Sequence, residues 1–154
     1  MTAKPVTIVV TGEPVAKGRG RAAVLQTGRA IIFTPKNTRK WEADARQVAR
    51  LEMGSRLPMT GPVHIDIRVV FVPAKSWPDW KRNMAISHEI AHTTKPDIDN
   101  LAKSMKDALN GIVYDDDAQI IRSVCVKEYG PQAMVVATVT PVGGLPCQVS
   151  RKPV

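Results

Sequence analysis

The chain has 154 residues, a formal net charge of +8 at pH 7 and 44% hydrophobic residues. A chain of this length is about one domain long and folds around a single hydrophobic core. No run approaches the ~20 apolar residues of a membrane-spanning helix, and the start lacks the pattern of a secretory signal. Its two cysteines, Cys125 and Cys147, have no paired spacing, which argues against a disulfide framework or a zinc site. We therefore expect a soluble protein of a reducing cytoplasm.

The charges are distributed unevenly along the chain. Residues 1–50 hold ten basic and three acidic side chains, a balance of +7, whereas residues 95–120 hold three lysines and six aspartates, a balance of −3. A basic region of this density attracts polyanions, and nucleic acid is the commonest one. Charge by itself is a weak indication, so the acidic stretch is the feature that a function has to explain.

The first half of the chain predicts a strand, a hairpin and a helix. Residues 6–10, VTIVV, are typical of a buried strand, and residues 22–33 predict a hairpin around Gly28. Residues 37–53 place apolar side chains three to four positions apart after an Asn37/Thr38 cap, which predicts an amphipathic helix.

The second half predicts two helices and three strands. Residues 62–72 alternate between apolar and polar and predict a half-buried strand, and residues 76–85 predict a short helix capped by Ser76. The spacing of apolar residues predicts a helix over 98–109, ended by Asn110-Gly111. The segments 118–129 and 133–140 predict an antiparallel strand pair joined at Gly130-Pro131.

These elements together favour an α+β fold with a mixed β-sheet and helices packed on one face. We expect one domain over residues 1–142. Residues 143–154 lack periodicity and predict a flexible C-terminal tail.

The aspartates at the start of the third helix exceed what a helix cap requires. Asp97 and Asp99 lie where the positive end of the helix dipole favours carboxylates, yet one cap needs only one of them. Asp115, Asp116 and Asp117 form a second group that by itself is most often a solvated turn. If the two groups met, their repulsion would favour a bound cation, and oxygen ligands select Mg²⁺ or Mn²⁺.

Lys103 lies four residues after Asp99 and therefore on the same face of the predicted helix. It has two interpretations. The first is an ordinary pair of salt bridges at helical spacing, and the second is a fixed positive charge that holds a phosphate beside a metal ion.

Residues 95–120, KPDIDNLAKSMKDALNGIVYDDDAQI, resemble the signature of the RusA family of Holliday junction resolvases. That signature runs Pro-Asp-x-Asp-Asn-Leu, x-Lys, Asp-Ala-Leu-Asn-Gly and Asp-Asp-Ala-Gln, so the match is long, ordered and specific. Weaker matches lie in the basic segments 13–21, 33–42 and 76–82, and the resemblance spans most of residues 5–140. Departures are the three-residue aspartate run, the absence of an aromatic residue in GRGRAA, and the tail after residue 141.

The resemblance implies a RusA-like fold and a magnesium-dependent endonuclease, with Mn²⁺ as a substitute ion. Such an enzyme acts as a homodimer and nicks two strands of a four-way DNA junction, leaving 5′-phosphate ends. By position in the motif, the catalytic and metal-binding acids are Asp97, Asp99 and Asp117, and the essential lysine is Lys103. Asp116 is a candidate further ligand whose role stays open, while Asp107 and Asp115 are interpreted as ordinary surface residues.

The basic first part of the chain is expected to bind the DNA arms through their phosphates. The candidates are Lys17, Arg19, Arg21, Arg29, Lys36, Arg39 and Lys40. We expect neither a nucleotide cofactor nor a membrane partner, and a bacterial or phage origin. Two alternatives stay open, namely a nuclease for other branched DNA such as forks and flaps, and a non-catalytic junction-binding module.

Overall fold

A four-stranded mixed β-sheet forms the body of the protein. The computed structural model describes residues 3–18 and 21–143. The strands are β1 (Val6–Thr11), β2 (Arg21–Val24), β3 (Ala30–Phe33), β4 (Val63–Phe71), β5 (Ile120–Tyr129) and β6 (Met134–Pro141). The helices are α1 (Lys36–Met53), α2 (Asp79–Ile86) and α3 (Ile98–Leu109), and a single 3₁₀ turn covers Asp117–Gln119.

The strand order in the main sheet is β1-β6-β4-β5, and β2 with β3 forms a separate two-stranded ribbon. β6 is antiparallel to both of its neighbours, whereas β4 and β5 are parallel. Parallel strands cannot be joined by a tight turn, so the chain between them crosses over the sheet through α2 and α3.

The helices cover one face of the sheet, as the sequence predicted. Alternate residues of the strands supply that face, including Ile8, Ile65 and Val139, all fully buried. α1 contacts β1, and α3 contacts β4, β5 and α1. No described helix covers the opposite face, here called the open face, which carries polar pairs: Thr7 with Thr138, Asp66 with Arg122, and Arg68 with Glu128. The result is an α+β fold with its core between sheet and helices. Within the described residues, no helix is both long and apolar enough to cross a membrane.

The predicted pairing of the last two strands is wrong. β6 lies between β1 and β4, while β5 pairs only with β4 at the edge of the sheet. The burial patterns give the reason: β6 buries Val135, Ala137 and Val139, whereas β5 is exposed over much of its length and suits an edge. The turn crosses the end of β4, where a Cβ on Gly130 would approach Val70 to 2.5 Å.

Two predicted helix caps are also wrong, although both helices are present. α1 begins at Lys36 after Pro35, and Thr38 is a buried helical residue whose hydroxyl donates to the carbonyl of Ala16 at 3.4 Å. α2 begins at Asp79 after Pro78, with no capping bond from a side chain. Proline fits the position before a first helical turn because its N–H is not needed there.

An aromatic cluster packs where β4 and β5 end. His92 is buried, stacks on Phe71 with 4.2 Å between ring centroids, and lies 4.9 Å from the ring of Tyr129. Trp77 packs edge-on against Tyr129 at 5.6 Å. This cluster holds the segment that leads into α3.

We predict that His92 makes stability depend on pH. Its pKa is lowered by burial and, secondarily, by the positive charge of Lys127. Because the unfolded pKa is higher, at about 6.5, the unfolded chain binds more protons as the pH falls through this range, and the folded state loses stability. His92→Phe keeps the stacking and removes this loss, which thermal melts between pH 7.5 and 5.5 measure.

His64→Gln is the matched control, because His64 lies on the open face of the sheet. It should retain the pH dependence of the wild type. The same change in melting temperature with pH in the wild type and in His92→Phe would contradict the role of His92.

Candidate active site

The start of α3 presents two carboxylates to solvent. Asp97 occupies the N-cap position with extended backbone, and its carbonyl accepts a bond from the N–H of Leu101 at 3.2 Å. Its side chain, however, makes no capping bond. Asp99 follows in the first turn, and both residues are exposed. The cap interpretation therefore does not explain the Asp97 carboxylate, which lies with Asp99 at the positive end of the helix dipole.

A lysine of β5 holds the loop that precedes these aspartates. The ammonium group of Lys127 donates to the carbonyl of Thr94 at 2.8 Å and to that of Pro96 at 3.0 Å. Lys127 lies near the end of β5, so this contact places the start of α3 near that end of the sheet.

Charged side chains continue along the same face of α3. Asp99, Lys103 and Asp107 follow one another at four-residue intervals, and Lys103 Nζ lies 3.6 Å from Asp107 Oδ1. The Lys103 side chain is 59% exposed, whereas that of Asp107 is 23% exposed. The Lys103 side chain is therefore accessible to solvent and also lies next to the Asp107 carboxylate.

Asp117 lies near the opposite end of α3. It begins the 3₁₀ turn before β5, close enough to Asp107 and Lys103 for both charges to affect its ionisation. The pKa of Asp117 is raised, chiefly by a hydrogen bond shared with Asp116, then by burial and by the charges of Asp116 and Asp107. Lys103 opposes the shift. The charge of Lys103 therefore reaches Asp117.

Asp116 caps the 3₁₀ turn. Its carboxylate accepts from the N–H of Ala118 at 3.3 Å, which is the main reason that its pKa is lowered. The side-chain oxygen of Gln119 accepts from the N–H of Asp116 at 2.8 Å and completes a capping box. Asp115 is exposed in the preceding turn.

Gln119 and Tyr114 fix this turn to the rest of the protein. The Gln119 amide donates to the carbonyls of Met59 at 2.7 Å and Gly61 at 2.8 Å. Tyr114 is fully buried, and its hydroxyl donates to the carbonyl of Lys106 at 2.8 Å. Burial, with the nearby charges of Asp117 and Asp107, raises the pKa of Tyr114. The Asp-Asp-Ala-Gln part of the motif is thus held by its own glutamine.

The structure separates the predicted acids along α3. Asp97 precedes the helix, while the charge that reaches Asp117 is that of Asp107, ten residues or about 15 Å further along the helix axis. The loop after α3 stays at that end of the helix as far as Tyr114, whose hydroxyl donates to the carbonyl of Lys106 and whose backbone pairs with Asn110. Among the described residues, no three carboxylate, histidine or cysteine side chains form a group that could hold a metal ion. The assignment of Asp97, Asp99 and Asp117 to one metal site stays a prediction.

The Asp97 and Asp99 pair nevertheless fits a magnesium ion by its chemistry. Both donors are carboxylate oxygens, both are exposed, and the Asp97 side chain is not used as a helix cap. Mg²⁺ in nucleic-acid enzymes is commonly held by one or two carboxylates together with water and substrate phosphate oxygens. These two residues satisfy that requirement without a third protein ligand.

The predicted DNA contacts occupy several places. Arg29, Lys36, Arg39 and Lys40 are exposed, the first between β2 and β3 and the others on the first turns of α1. Arg19 lies outside the described residues, and Arg21 contributes backbone to β2. The ammonium group of Lys17 is engaged within the protein, 2.5 Å from Glu42 Oε1 and 3.1 Å from Asp107 Oδ2.

Sequence reasoning missed the position of Asp107, which it interpreted as an ordinary surface residue. Its carboxylate lies between Lys17 and Lys103, and its carbonyl accepts from Arg46 at 3.3 Å. Its four-residue spacing from Lys103 was visible, but the partners Lys17 and Arg46 lie 90 and 61 positions away in sequence. No local pattern indicates such contacts.

Comparison with known proteins identifies the class to which this protein belongs. Residues 11–140 match the family model described as endodeoxyribonuclease RusA, which covers most of the chain and all the acids discussed above. The protein is therefore an endodeoxyribonuclease, and it belongs to the RusA family. An uncharacterized protein of Bacillus subtilis (strain 168), YqaN, is 33% identical over 128 residues, which are 82% of this chain and 89% of that protein.

We predict that Gln119→Ala lowers the free energy of unfolding by about 1–3 kcal/mol, because the carbonyl of Gly61 loses its side-chain donor and that of Met59 keeps only the N–H of Asp115, at 3.4 Å. Urea denaturation measures this loss. Gln47→Ala, on the exposed side of α1, is the control and should change stability by less than about 0.5 kcal/mol. Equal stability of the two variants would contradict a structural role for Gln119.

Proposed function

We propose that the protein resolves Holliday junctions by Mg²⁺-dependent hydrolysis of two opposed DNA strands, with Mn²⁺ as a substitute ion. The observation that carries this proposal is the start of α3, where the exposed carboxylate of Asp99 lies one helical turn before Lys103 and that of Asp97 lies at the N-cap two residues earlier. Membership of the RusA family supports both the reaction and the substrate class. The products are nicks with 5′-phosphate ends, and the reaction belongs to recombination and repair in a bacterial or phage-infected cytoplasm.

The two carboxylates would hold the ion against the scissile phosphate. When bound, Mg²⁺ lowers the pKa of a coordinated water and neutralises charge on the phosphate. Asp97 and Asp99 would hold the ion from their positions before and within the first turn of α3. Lys103, 59% exposed on the same face, is placed to contact a phosphate oxygen and stabilise its developing charge.

Asp117 is the proposed third acid of the site. Its ionisation responds to Asp107 and Lys103 and not to Asp97, so it would join an ion held by Asp97 through a shift of the turn or through a second chain. Its raised pKa shows that neighbouring carboxyl groups disfavour its ionised form. A cation or a nearby phosphate-bound ion would relieve that repulsion.

A homodimer accounts for paired cutting. A four-way junction has approximate two-fold symmetry, and one chain carries one copy of the proposed site. A pair of chains related by a two-fold axis would present two sites to two opposed strands. The exposed basic residues Arg29, Lys36, Arg39 and Lys40 would hold the arms through phosphates, which recognises shape more than sequence.

We predict that Asp97→Asn and Asp117→Asn each reduce Mg²⁺-dependent nicking of a synthetic four-way junction by at least about 100-fold, because each removes a proposed ligand charge. Junction binding, measured by fluorescence anisotropy in Ca²⁺, should persist. Asp115→Asn is the matched control, since it removes an exposed carboxylate from the adjacent turn, and it should cleave like the wild type.

Full cleavage by both site variants would refute the assignment. Binding without nicking by the wild type at any divalent-metal concentration would instead favour a non-catalytic binding module. Comparison of junction, fork and linear duplex separates the substrates, since symmetric paired nicks are expected for the junction alone. Preferential cleavage of forks or flaps would favour a nuclease for other branched DNA.

The DNA surface has its own prediction. Replacing Lys36, Arg39 and Lys40 together by glutamine should weaken junction binding and flatten its salt dependence by about one unit of slope per lost phosphate contact. Titrations at several salt concentrations measure the slope. Arg122→Gln, on the open face of the sheet, should leave it unchanged, and an equal effect there would place the DNA elsewhere.

A further inference from the structure

Asp107 has contacts that no part of the proposed reaction yet uses. We propose that Asp107 is a positioning residue, whose carboxylate holds Lys103 in place for the scissile phosphate while Lys17 holds Asp107. This inference rests on the proposed function, and it assigns Lys17 to the interior of the site in place of a phosphate contact.

The two oxygens of Asp107 are divided between two lysines. Oδ1 lies 3.6 Å from Lys103 Nζ, and Oδ2 lies 3.1 Å from Lys17 Nζ. Lys17 is also 2.5 Å from Glu42 Oε1, so its charge is shared by two carboxylates. These bonds outweigh the opposing effect of burial and raise the pKa of Lys17, which therefore stays charged at neutral pH.

Exposure distinguishes this group from an ordinary surface pair. The side chains of Lys17, Glu42 and Asp107 are 24%, 21% and 23% exposed, whereas that of Lys103 is 59% exposed. Pairs between two exposed side chains are weak and mobile. Here the carboxylate is held in a partly buried group, and only the lysine that faces solvent remains free to meet a ligand.

The backbone around the group is fixed as well. The N–H of Lys17 donates to the carbonyl of Asn100 at 3.0 Å, which lays this segment along α3. The N–H of Gly18 donates to the Thr38 hydroxyl at 3.3 Å, which joins the same segment to α1. Arg46 donates to the carbonyl of Asp107 at 3.3 Å. The carboxylate thus has a defined position from both its backbone and its side chain.

The balance of charge also favours a positioning role. Asp107 carries its negative charge beside Lys103, on the face of α3 that is proposed to meet the phosphate. An unpaired Asp107 would repel both Asp117 and an incoming phosphate. Lys17 compensates only part of the charge of Asp107, because Lys17 also pairs with Glu42, and Asp107 therefore keeps a negative charge that attracts and orients Lys103. In this arrangement Lys17 holds the Asp107 carboxylate, and that carboxylate orients Lys103.

The decisive experiment is a double-mutant cycle between Asp107 and Lys103. Asp107→Asn should lower kcat for junction nicking about tenfold, because a misplaced catalytic group is costly, with junction Kd changed by less than about twofold. In a Lys103→Met background, Asp107→Asn should have no further effect on the residual rate, since the coupling passes through Lys103. Lys17→Met should show a smaller loss with the same dependence on Lys103.

A second readout does not require activity. After reductive methylation with ¹³C-formaldehyde, which keeps the lysine charge, the dimethyl resonance of Lys103 is assigned by its loss in Lys103→Arg. Asp107→Asn should shift this resonance toward that of a free lysine, and Asp115→Asn should leave it in place. Thermal melts show whether each variant is folded. If Asp107→Asn does not fold, the resonance of Lys103 is measured in Lys17→Met instead.

The outcomes separate the two proposals. An unchanged resonance and unchanged kcat in Asp107→Asn would overturn the positioning role, and so would equal losses with and without Lys103. If the wild type nicks no DNA while the resonance shifts as expected, the proposed function fails and the contact between Asp107 and Lys103 stands without a catalytic role.

Discussion

The parallel pairing of β4 with β5 decides where every proposed catalytic group lies. Parallel neighbours require a crossover, so α3 must run back along the sheet before β5 begins. Its start therefore lies at the end of β5, where Lys127 holds the loop, and its end lies where Asp117 leads into β5. The acids that are close in the motif are thereby spread along one helix, with Lys103 between them.

The acidic stretch combines two kinds of carboxylate that the composition cannot distinguish. Asp116 is used by the backbone: it caps the 3₁₀ turn and is tied to Gln119. Asp97 occupies a cap position, yet its side chain makes no cap bond. A carboxylate left unpaired at the positive end of a helix is available to a ligand, so the local structure of the turn accounts for Asp116 and leaves Asp97 for the proposed site.

The basic side chains of the N-terminal region likewise differ in their surroundings. Lys36, Arg39 and Lys40 are exposed on α1 and remain available to phosphates. Lys17 is turned inward onto Glu42 and Asp107. A count of basic residues treats these lysines as equivalent, but a partly buried ammonium between two carboxylates contributes to the structure of the site and little to long-range attraction of DNA.

The sequence by itself determined most of the helices and strands, and it predicted the residues of the proposed site. Periodicity located β4, α1 and α3 almost to their ends, because side-chain burial repeats every two or 3.6 residues. The motif singled out Asp97, Asp99, Lys103 and Asp117, because its spacing is local. Tertiary structure alone decided that β6 enters between β1 and β4, that Asp97 and Asp117 lie at opposite ends of α3, and that Asp107 binds Lys17. Those outcomes depend on the order of the strands in the sheet and on contacts between residues as far as 90 positions apart, which a local pattern cannot encode.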